Sequence, residues 1–428
     1  MSERRFGIRA NRAQFLQQLL QVLMVGLTMG MMRNVVPALA ESEFGVPRGS
    51  FLLLAAFVVA FGFVKGTMNF VAGRLAEELG RQRVLLIGWL VALPVPLLVY
   101  FATSWTWIVM ATVLLGMNQG LTWSMTQTAK LDFTRADQRG LVIGLNEFAG
   151  YVGVAAAGIA TGYLASTLGP RTGLLWFGGA VIGIATLAAW LGVAETLPWA
   201  RDDMKRQAVP GTDALRPRYP SGVSAHQSTA EVFRLMTWGD RRMAALCQAG
   251  LVEKFVDALV WAFWPVYLHQ RGLSLPAIGW IVGVYGFSWG AAQFFTGRLS
   301  DRLGRHLLNV WGMWVCGAGV ALIPIGDGVA WWAAAAAITG LGMAMLYPNL
   351  SAAVADIAHP SWRASAIGIY RFWRDLGYGI GALALGAAAA LGGRLESAFW
   401  FVASAMALSG AVLFCWGEET HPRLNPGR

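Results

Sequence analysis

Two stretches of ten residues constrain this chain more than anything else in it. Gly73–Gln82 reads G-R-L-A-E-E-L-G-R-Q and Gly297–His306 reads G-R-L-S-D-R-L-G-R-H; they begin 224 residues apart in a chain of 428. Long apolar runs flank each on both sides. A short charged stretch with two glycines, set between two such runs, reads as a tight turn between membrane helices. Its return at half the chain length predicts a duplicated bundle. The same offset pairs Gly116 with Gly340, Asp132 with Asp356 and Arg139 with Arg363. Pro37 and Pro265 pair with four further residues of loop between them.

Composition excludes the soluble alternatives. The chain is 56% hydrophobic and 13% charged, with mean hydropathy +0.52, whereas a soluble domain carries about 25% charge. Apolar stretches of roughly 20 residues, enough to cross a hydrocarbon core of about 30 Å, recur throughout. The first is too long for a signal peptide's apolar core and has no small-residue cleavage site after it, so it is expected to stay on the chain. The fold class is therefore all-α, a polytopic membrane protein with twelve transmembrane helices as two pseudo-symmetric six-helix bundles. The expected spans are 14–39, 50–72, 84–102, 105–129, 140–164, 172–194, 243–268, 274–296, 307–326, 329–355, 364–390 and 396–417.

The expected organisation is an N-terminal six-helix bundle over 1–194, a cytoplasmic linker over 195–242, a C-terminal six-helix bundle over 243–417 and a tail over 418–428. The linker is dense in charge and broken by Pro198, Pro210, Pro217 and Pro220, with a short amphipathic helix expected near Ala230 to Met236. Net charge is +10, which is a nucleic-acid signal only if it clusters on one surface. Of the 33 Lys and Arg, 24 fall on the side of the two repeated stretches, four on the other side and five inside spans. That is the positive-inside pattern; it puts both termini in the cytoplasm and calls for no nucleic-acid partner.

Nine charged residues lie where the bilayer should be: Arg33, Lys65, Glu147, Glu253, Lys254, Asp257, Arg371, Arg374 and Asp375. Each costs about 2.5–3.5 kcal/mol at the bilayer centre, so facing lipid they would oppose insertion by roughly 20–30 kcal/mol. They are expected to face a wet central path, or one another as structural ion pairs. Arg371, Arg374 and Asp375 share one helix face by their spacing, as do Glu253 and Asp257. Glu147 and Arg371 occupy symmetric positions with opposite sign. Five basic residues against four acidic suit a charged or zwitterionic solute, or a neutralised complex. Asn118, Gln119, Trp123, Ser124 and Gln127 extend the polar surface along the fourth helix. For Asn118 and Gln119, hydrogen bonding between helices is an equally good reading.

Catalytic and metal chemistry find little support. Cys247, Cys316 and Cys415 are dispersed and form no C-x-x-C. The five histidines fall in loops or tails, so a metal in the bundle would have only carboxylates, which favour hard cations. No H-E-x-x-H, phosphate-binding Walker loop or G-x-S-x-G is present. An enzyme is not expected, nor a cofactor.

The pattern G-x-L-x-D-R-x-G-R-R between the second and third helices, repeated between the eighth and ninth, resembles the signature loop of the major facilitator superfamily. The second copy follows it nearly throughout, while the first has Glu77 for the Asp and Glu78 for the Arg. The resemblance implies a secondary transporter in which two halves rock around a central site. It implies that Glu77 and Asp301 help to hold the inward-closed state, with Gly73, Gly80, Arg81, Gly297, Arg302, Gly304 and Arg305 forming the switch loops. It also implies that the second helix packs on the eleventh, so that Lys65 could meet Asp375 as a gate. Many proton-linked members carry an Arg where Thr112 stands, and antiporters often carry G-P-x-x-G-G where Gly158–Tyr163 stands. Glu147 and Asp257 remain candidate proton carriers.

The length and the fifth- and eleventh-helix patterns also resemble magnetosome-membrane members of that superfamily. That likeness implies iron or an iron complex as the solute, moved into magnetosomes for magnetite biomineralisation. The expected location is the inner (cell) membrane or the magnetosome membrane. The alternative substrate is an organic anion or drug, favoured by Arg33, Lys65, Arg371 and Arg374. The alternative of another class is a non-transporting membrane scaffold or sensor.

Overall fold

The computed structural model describes residues 4–44, 51–208 and 227–424, without the side chains of 33–42, 51–58, 206–208 and 275–276. Arg33, Asn34 and Pro37 thus have side chains outside the described residues. Twelve long helical segments form the two bundles. The first six are α1 (Arg12–Glu43), α2 (Phe51–Leu79), α3 (Arg81–Ala92, resuming as Val95–Tyr100), α4 (Trp105–Phe133), α5 (Arg139–Leu168) and α6 (Pro170–Gly192). The second six begin with α7 (Arg241–Ala258, continuing through Leu259–Phe263 to Trp264–Gln270) and α8 (Leu275–Leu303). They end with α9 (His306–Leu322), α10 (Val329–Ile357), α11 (Arg363–Gly392) and α12 (Glu396–Trp416). No strand occurs among the described residues. Lipid accepts no unpaired backbone group, and helices meet that demand within each segment.

The breaks have local causes. In α7, Pro265 has no N–H to give the carbonyl four residues before it, and the preceding turn widens into the π-helical stretch Leu259–Phe263. In α3, Pro94 and Pro96 interrupt the ladder in the same way.

The repeated stretches are not loops over their whole length. α2 runs to Leu79 and α8 to Leu303, so most of each stretch is helix projecting beyond the apolar run. Nothing between Arg74 and Leu79 breaks a helix, and water poses no obstacle to continuing one. The turn itself contracts to Gly80 (φ 92°) and Gly304 (φ 98°), a left-handed conformation that only glycine adopts without strain.

Between the bundles, Leu197–Ala208 is helical, as is Thr229–Arg234, followed by a π turn over Leu235–Gly239. Ser228 and Glu231 close a capping box at the start of Thr229–Arg234. The helix at Leu197–Ala208 was not expected from the linker's composition.

Leu391, Ile159 and Phe287 are exposed on the perimeter, the surface a bilayer covers. The charges go the other way: Lys65, Glu147, Glu253, Lys254, Asp257, Arg371, Arg374 and Asp375 are all buried.

Candidate functional site

The bundles meet along two seams related by the 224-residue offset, α2 with α11 and α5 with α8. On the second seam, Gly140 and Gly297 bring two backbones together. A Cβ added at Gly297 would lie 2.5 Å from the Gly140 carbonyl oxygen. Gly73 meets Ala364 and Ser365 at the symmetric place. Small residues let membrane helices approach this closely, with dispersion replacing the missing hydrophobic drive.

Carboxylates clasp both seams at the end where the repeated stretches lie. Asp301 accepts from the Gly140 and Leu141 N–H groups at 2.9 and 2.8 Å. Glu77, its symmetry mate, accepts from Ser365 N–H at 3.0 Å. Each thus satisfies free N–H groups at the start of a helix in the opposite bundle and complements its dipole. Burial pushes both carboxyls up from their usual range, and the hydrogen bonds they accept pull the other way. Arg139 also crosses the seam, donating to Asp356 at 2.8 Å. Its symmetry mate Arg363 instead pairs with Asp203 of the linker at 3.0 Å. Arg302 is exposed.

Within each half a second bracket supports this clasp, and the reading of the sequence missed it. Glu195 accepts from the Arg81 and Gln82 N–H groups at 2.9 and 3.1 Å, and Thr196 donates to Asp132 at 2.8 Å. Asp132 in turn takes Arg81 Nε at 2.7 Å. In the other half Glu419 accepts from Arg305 and His306 N–H at 3.0 and 3.1 Å, Thr420 donates to Asp356, and Asp356 pairs with Arg305. Glu195-Thr196-Leu197-Pro198 and Glu419-Thr420-His421-Pro422 are themselves 224 apart, so the offset alone could have found them. Glu419→Ala should lower stability by about 1–2 kcal/mol through the lost cap. Thermal unfolding of the purified protein checks this, and an unchanged midpoint would show the bracket to be idle.

Deeper in, the seams enclose the charges. Lys65 Nζ lies 3.4 Å from Asp375 Oδ2. The same carboxylate accepts from Asn69 at 2.7 Å and from Arg374 Nε at 3.2 Å. Arg371 donates to Asn69 Oδ1 and to Gln127 Oε1 at 3.3 and 3.2 Å, and Ser124 donates to Asn69 at 2.7 Å. Glu147 and Arg371, symmetric in the sequence, approach to 4.0 Å. Residues related by a two-fold meet each other when they lie near its axis, so opposite signs there make a pair where like signs would repel. Glu147 Oε1 also accepts from Trp123 and Asn146 at 3.0 and 2.9 Å. On α7, Lys254 donates to Asp257 at 2.7 Å and stands 3.7 Å from Glu253, while Tyr285 donates to Asp257 at 2.9 Å.

Aromatic rings form the platform for these cations. Lys254 Nζ and the Arg374 guanidinium lie 4.1 and 4.4 Å from the Tyr347 ring centre. Tyr378 is shared by Lys65 and Lys254 at 5.7 and 5.2 Å. Desolvated contacts of this kind stabilise a cation by about 2 kcal/mol. Several polar atoms in the cluster have no partner: both terminal nitrogens of Arg374, Arg371 NH2, Gln127 Nε2, Glu147 Oε2 and the two Glu253 oxygens, the last without a hydrogen bond. Buried polar groups are normally satisfied, and these atoms leave donors and acceptors open for a further partner.

Asn118 and Gln119 bond to the backbone of neighbouring helices. Asn118 donates to the Gly88 carbonyl at 2.8 Å and Gln119 to the Val25 carbonyl at 3.0 Å, tying α4 to α3 and α1. Both serve as bonds between helices of one bundle. Lys130, just past the expected fourth span, is a further buried cation; it donates to the Gln18 carbonyl at 3.1 Å.

Known proteins place this architecture. An uncharacterized MFS-type transporter of Salmonella typhimurium (strain LT2) is 25% identical over 72% of this chain and 73% of its own length. Multidrug resistance protein 2 of Bacillus subtilis (strain 168) is 29% identical over 35% of this chain and 36% of its own. The human organic anion transporter MFSD10 superposes with a TM-score of 0.76 at 17% identity, over 94% of this chain and 99% of that one. The proton:xylose symporter XylE does so with a TM-score of 0.73 at 14% identity, over 96% and 98%. The sequence model of the Major Facilitator Superfamily matches residues 19–252 and again 246–428. With two matches that together run from α1 past α12, this multi-pass membrane chain belongs to the major facilitator superfamily, whose members are transporters and not enzymes.

Proposed function

We propose that the chain is a secondary active transporter that moves a small organic anion by alternating access through the charged centre. The observation that carries this reading is the sharing of Asp375 by Lys65 and Arg374, with Arg371 one turn away and both terminal nitrogens of Arg374 unpaired. Around that one carboxylate the cations are in excess, and a planar guanidinium with two free N–H edges is the usual partner of a carboxylate. Glu253 and Asp257 against Lys254 make a weaker negative pole across the platform, which also suits a zwitterion. MFSD10 is named an organic anion transporter, a description that agrees with this chemistry. The closed cytoplasmic seams belong to one end of a transport cycle, with Glu77 and Asp301 as the groups that release when it turns over.

Transport of iron to a magnetite-forming compartment rests on the resemblance of the fifth- and eleventh-helix patterns. Among the described residues no cluster of three His, Cys, Asp or Glu is placed to hold a metal ion. Bare ferrous ion finds no such cluster, while an anionic iron–citrate complex would meet the same donors as an organic carboxylate.

Binding separates these readings. Purified protein is heated with a panel of small carboxylates, ferric citrate, ferrous ion and cationic drugs, and a ligand at 100 times its Kd stabilises by about 2.7 kcal/mol. A carboxylate should raise the melting point of the wild type, and Arg374→Ala should weaken that ligand by about 10–100-fold, the loss of a charge-assisted pair. Stabilisation by ferrous ion alone would overturn the anion reading. Full transport by Arg374→Ala would remove that residue from the site.

A further inference from the structure

The two seams are symmetric at the end where the repeated stretches lie and differ beyond the charges. On the α2–α11 seam contact continues: Gly62 meets the backbone of Asp375 and Gly379 meets the ring of Phe63. On the α5–α8 seam contact ends at an aromatic step, Tyr151 against Trp289 with ring centres 4.2 Å apart. Past it the helices part, and Gly283, Gly286 and Gly290 face open space. Gly286 is the symmetry mate of Gly62, so equivalent positions are closed on one seam and open on the other. The opening is a cleft of about 550 Å³, within the size range of small-molecule pockets. Phe148, Val152 and Phe287 line it and are also exposed on the perimeter, Phe287 at 77%. The cleft therefore opens sideways, where acyl chains lie.

Its floor is polar in one respect. Trp289 lines the cleft, is 3% exposed, and has an indole N–H with no acceptor. Directly behind it, Lys254 Nζ stands 5.3 Å from the Trp289 ring, and Arg374 lies across the neighbouring Tyr347 ring with both terminal nitrogens free. Of the acidic groups near it, Asp257 is held by Lys254 and by Tyr285, another cleft residue, while Glu253 stands 3.7 Å from Lys254 with neither oxygen hydrogen-bonded. Among the residues that line the cleft, the polar atom without a hydrogen bond is thus a donor, the Trp289 N–H, which calls for an acceptor, and the walls call for hydrocarbon.

We infer that the α5–α8 cleft is a lateral binding site for a single-chain amphiphilic anion, its carboxylate at Trp289 and the cations behind it and its alkyl chain between the helices toward the bilayer. This deepens the organic-anion reading and rests on it. It makes chain length a determinant of affinity, and it gives the ligand a route from the membrane that needs no passage through outer water.

The test uses the full chain in nanodiscs, with radiolabelled laurate and butyrate as probes, scintillation proximity as the readout and empty nanodiscs subtracted. Wild type should hold laurate at least tenfold more tightly than butyrate. Gly286→Leu puts a side chain into the cleft at a helical position with open space, so its fold should be intact, as thermal unfolding checks; Gly290→Leu supplies a second block. Both should bring laurate down to the level of butyrate and leave butyrate within about twofold of wild type. Trp289→Phe keeps the ring and removes the N–H, and should weaken both probes several-fold. Equal affinity for the two probes, or laurate binding untouched by Gly286→Leu and Gly290→Leu, overturns the cleft and leaves the anion reading standing. Binding of neither probe overturns both.

Discussion

Asp375→Asn should lower stability by about 3–5 kcal/mol and abolish transport. Lys65 and Arg374 sit directly on this carboxylate, with Arg371 on the adjoining turn, all fully shielded from solvent. Removing one partner of a buried pair leaves the other charge uncompensated, which costs far more than the pair itself contributed. Asn keeps the shape and one acceptor oxygen, so the effect reads out the charge and not the packing. Adding Lys65→Met to Asp375→Asn removes one of the cations, and the double variant should regain at least about 1 kcal/mol over the sum of the singles. Transport should stay at least tenfold below wild type in the double variant if Lys65 and Asp375 are the proposed gate, a pair across the seam that forms and breaks. Chemical unfolding in detergent and uptake in proteoliposomes measure the two parts. Simple additivity would show that Lys65 and Asp375 are not coupled. Full uptake by the double variant would remove the pair from the gate.

Part of this centre was legible because its physics is costly. Charges in apolar runs oppose insertion, so they must converge. Equal depth, with the packing of the second helix on the eleventh that the resemblance implies, put Lys65 within reach of Asp375; the 224-residue offset showed Glu147 and Arg371 as symmetric and opposite in sign, but not that they meet. The aromatic platform was not legible in the same way. Tyr347, Tyr378 and Trp289 are as acceptable facing lipid as facing a cation, and only packing tells which they do. Asn118 and Gln119 show the converse: polar residues that look like a lining can also find backbone carbonyls on a neighbouring helix. The repeated stretch was legible as a turn but not in its extent, because the apolar run ends well before the helix does. The Glu-Thr-x-Pro brackets went unread since their effect lies in free N–H groups 114 residues away in the chain, which no local pattern shows. The open α5–α8 cleft was out of reach altogether. The sequence repeats, and the difference between its seams arises from which side chains fill the space beside Gly62 and which leave it empty beside Gly286.

Gly297→Leu should give a folded protein that cannot close at the end where the repeated stretches lie. A Cβ at this position would lie 2.5 Å from the Gly140 carbonyl oxygen and 3.2 Å from the Gly144 Cα. Overpacking a core costs about 1–3 kcal/mol when side chains can yield. Here both neighbours are main chain, so relief comes only by moving α5 away from α8. That separation also releases the hydrogen bonds of Asp301 to Gly140 and Leu141 and the Arg139–Asp356 pair. A bias of about 3 kcal/mol changes the ratio of closed to open molecules more than 100-fold. Because the parted surfaces meet water and not lipid, the bundles themselves should stay intact. A cysteine in place of Ser365, buried at 1% on the other seam, reports the change once Cys247, Cys316 and Cys415 are replaced by Ser. Its reaction with a water-soluble maleimide should be slow in the parent and at least tenfold faster with Gly297→Leu, while uptake falls to near background. Gly297→Ala should lie between them. Unchanged labelling with full uptake would mean that this end of the seam does not part during transport, and the assignment of Asp301 and Glu77 as its clasps would fall with it.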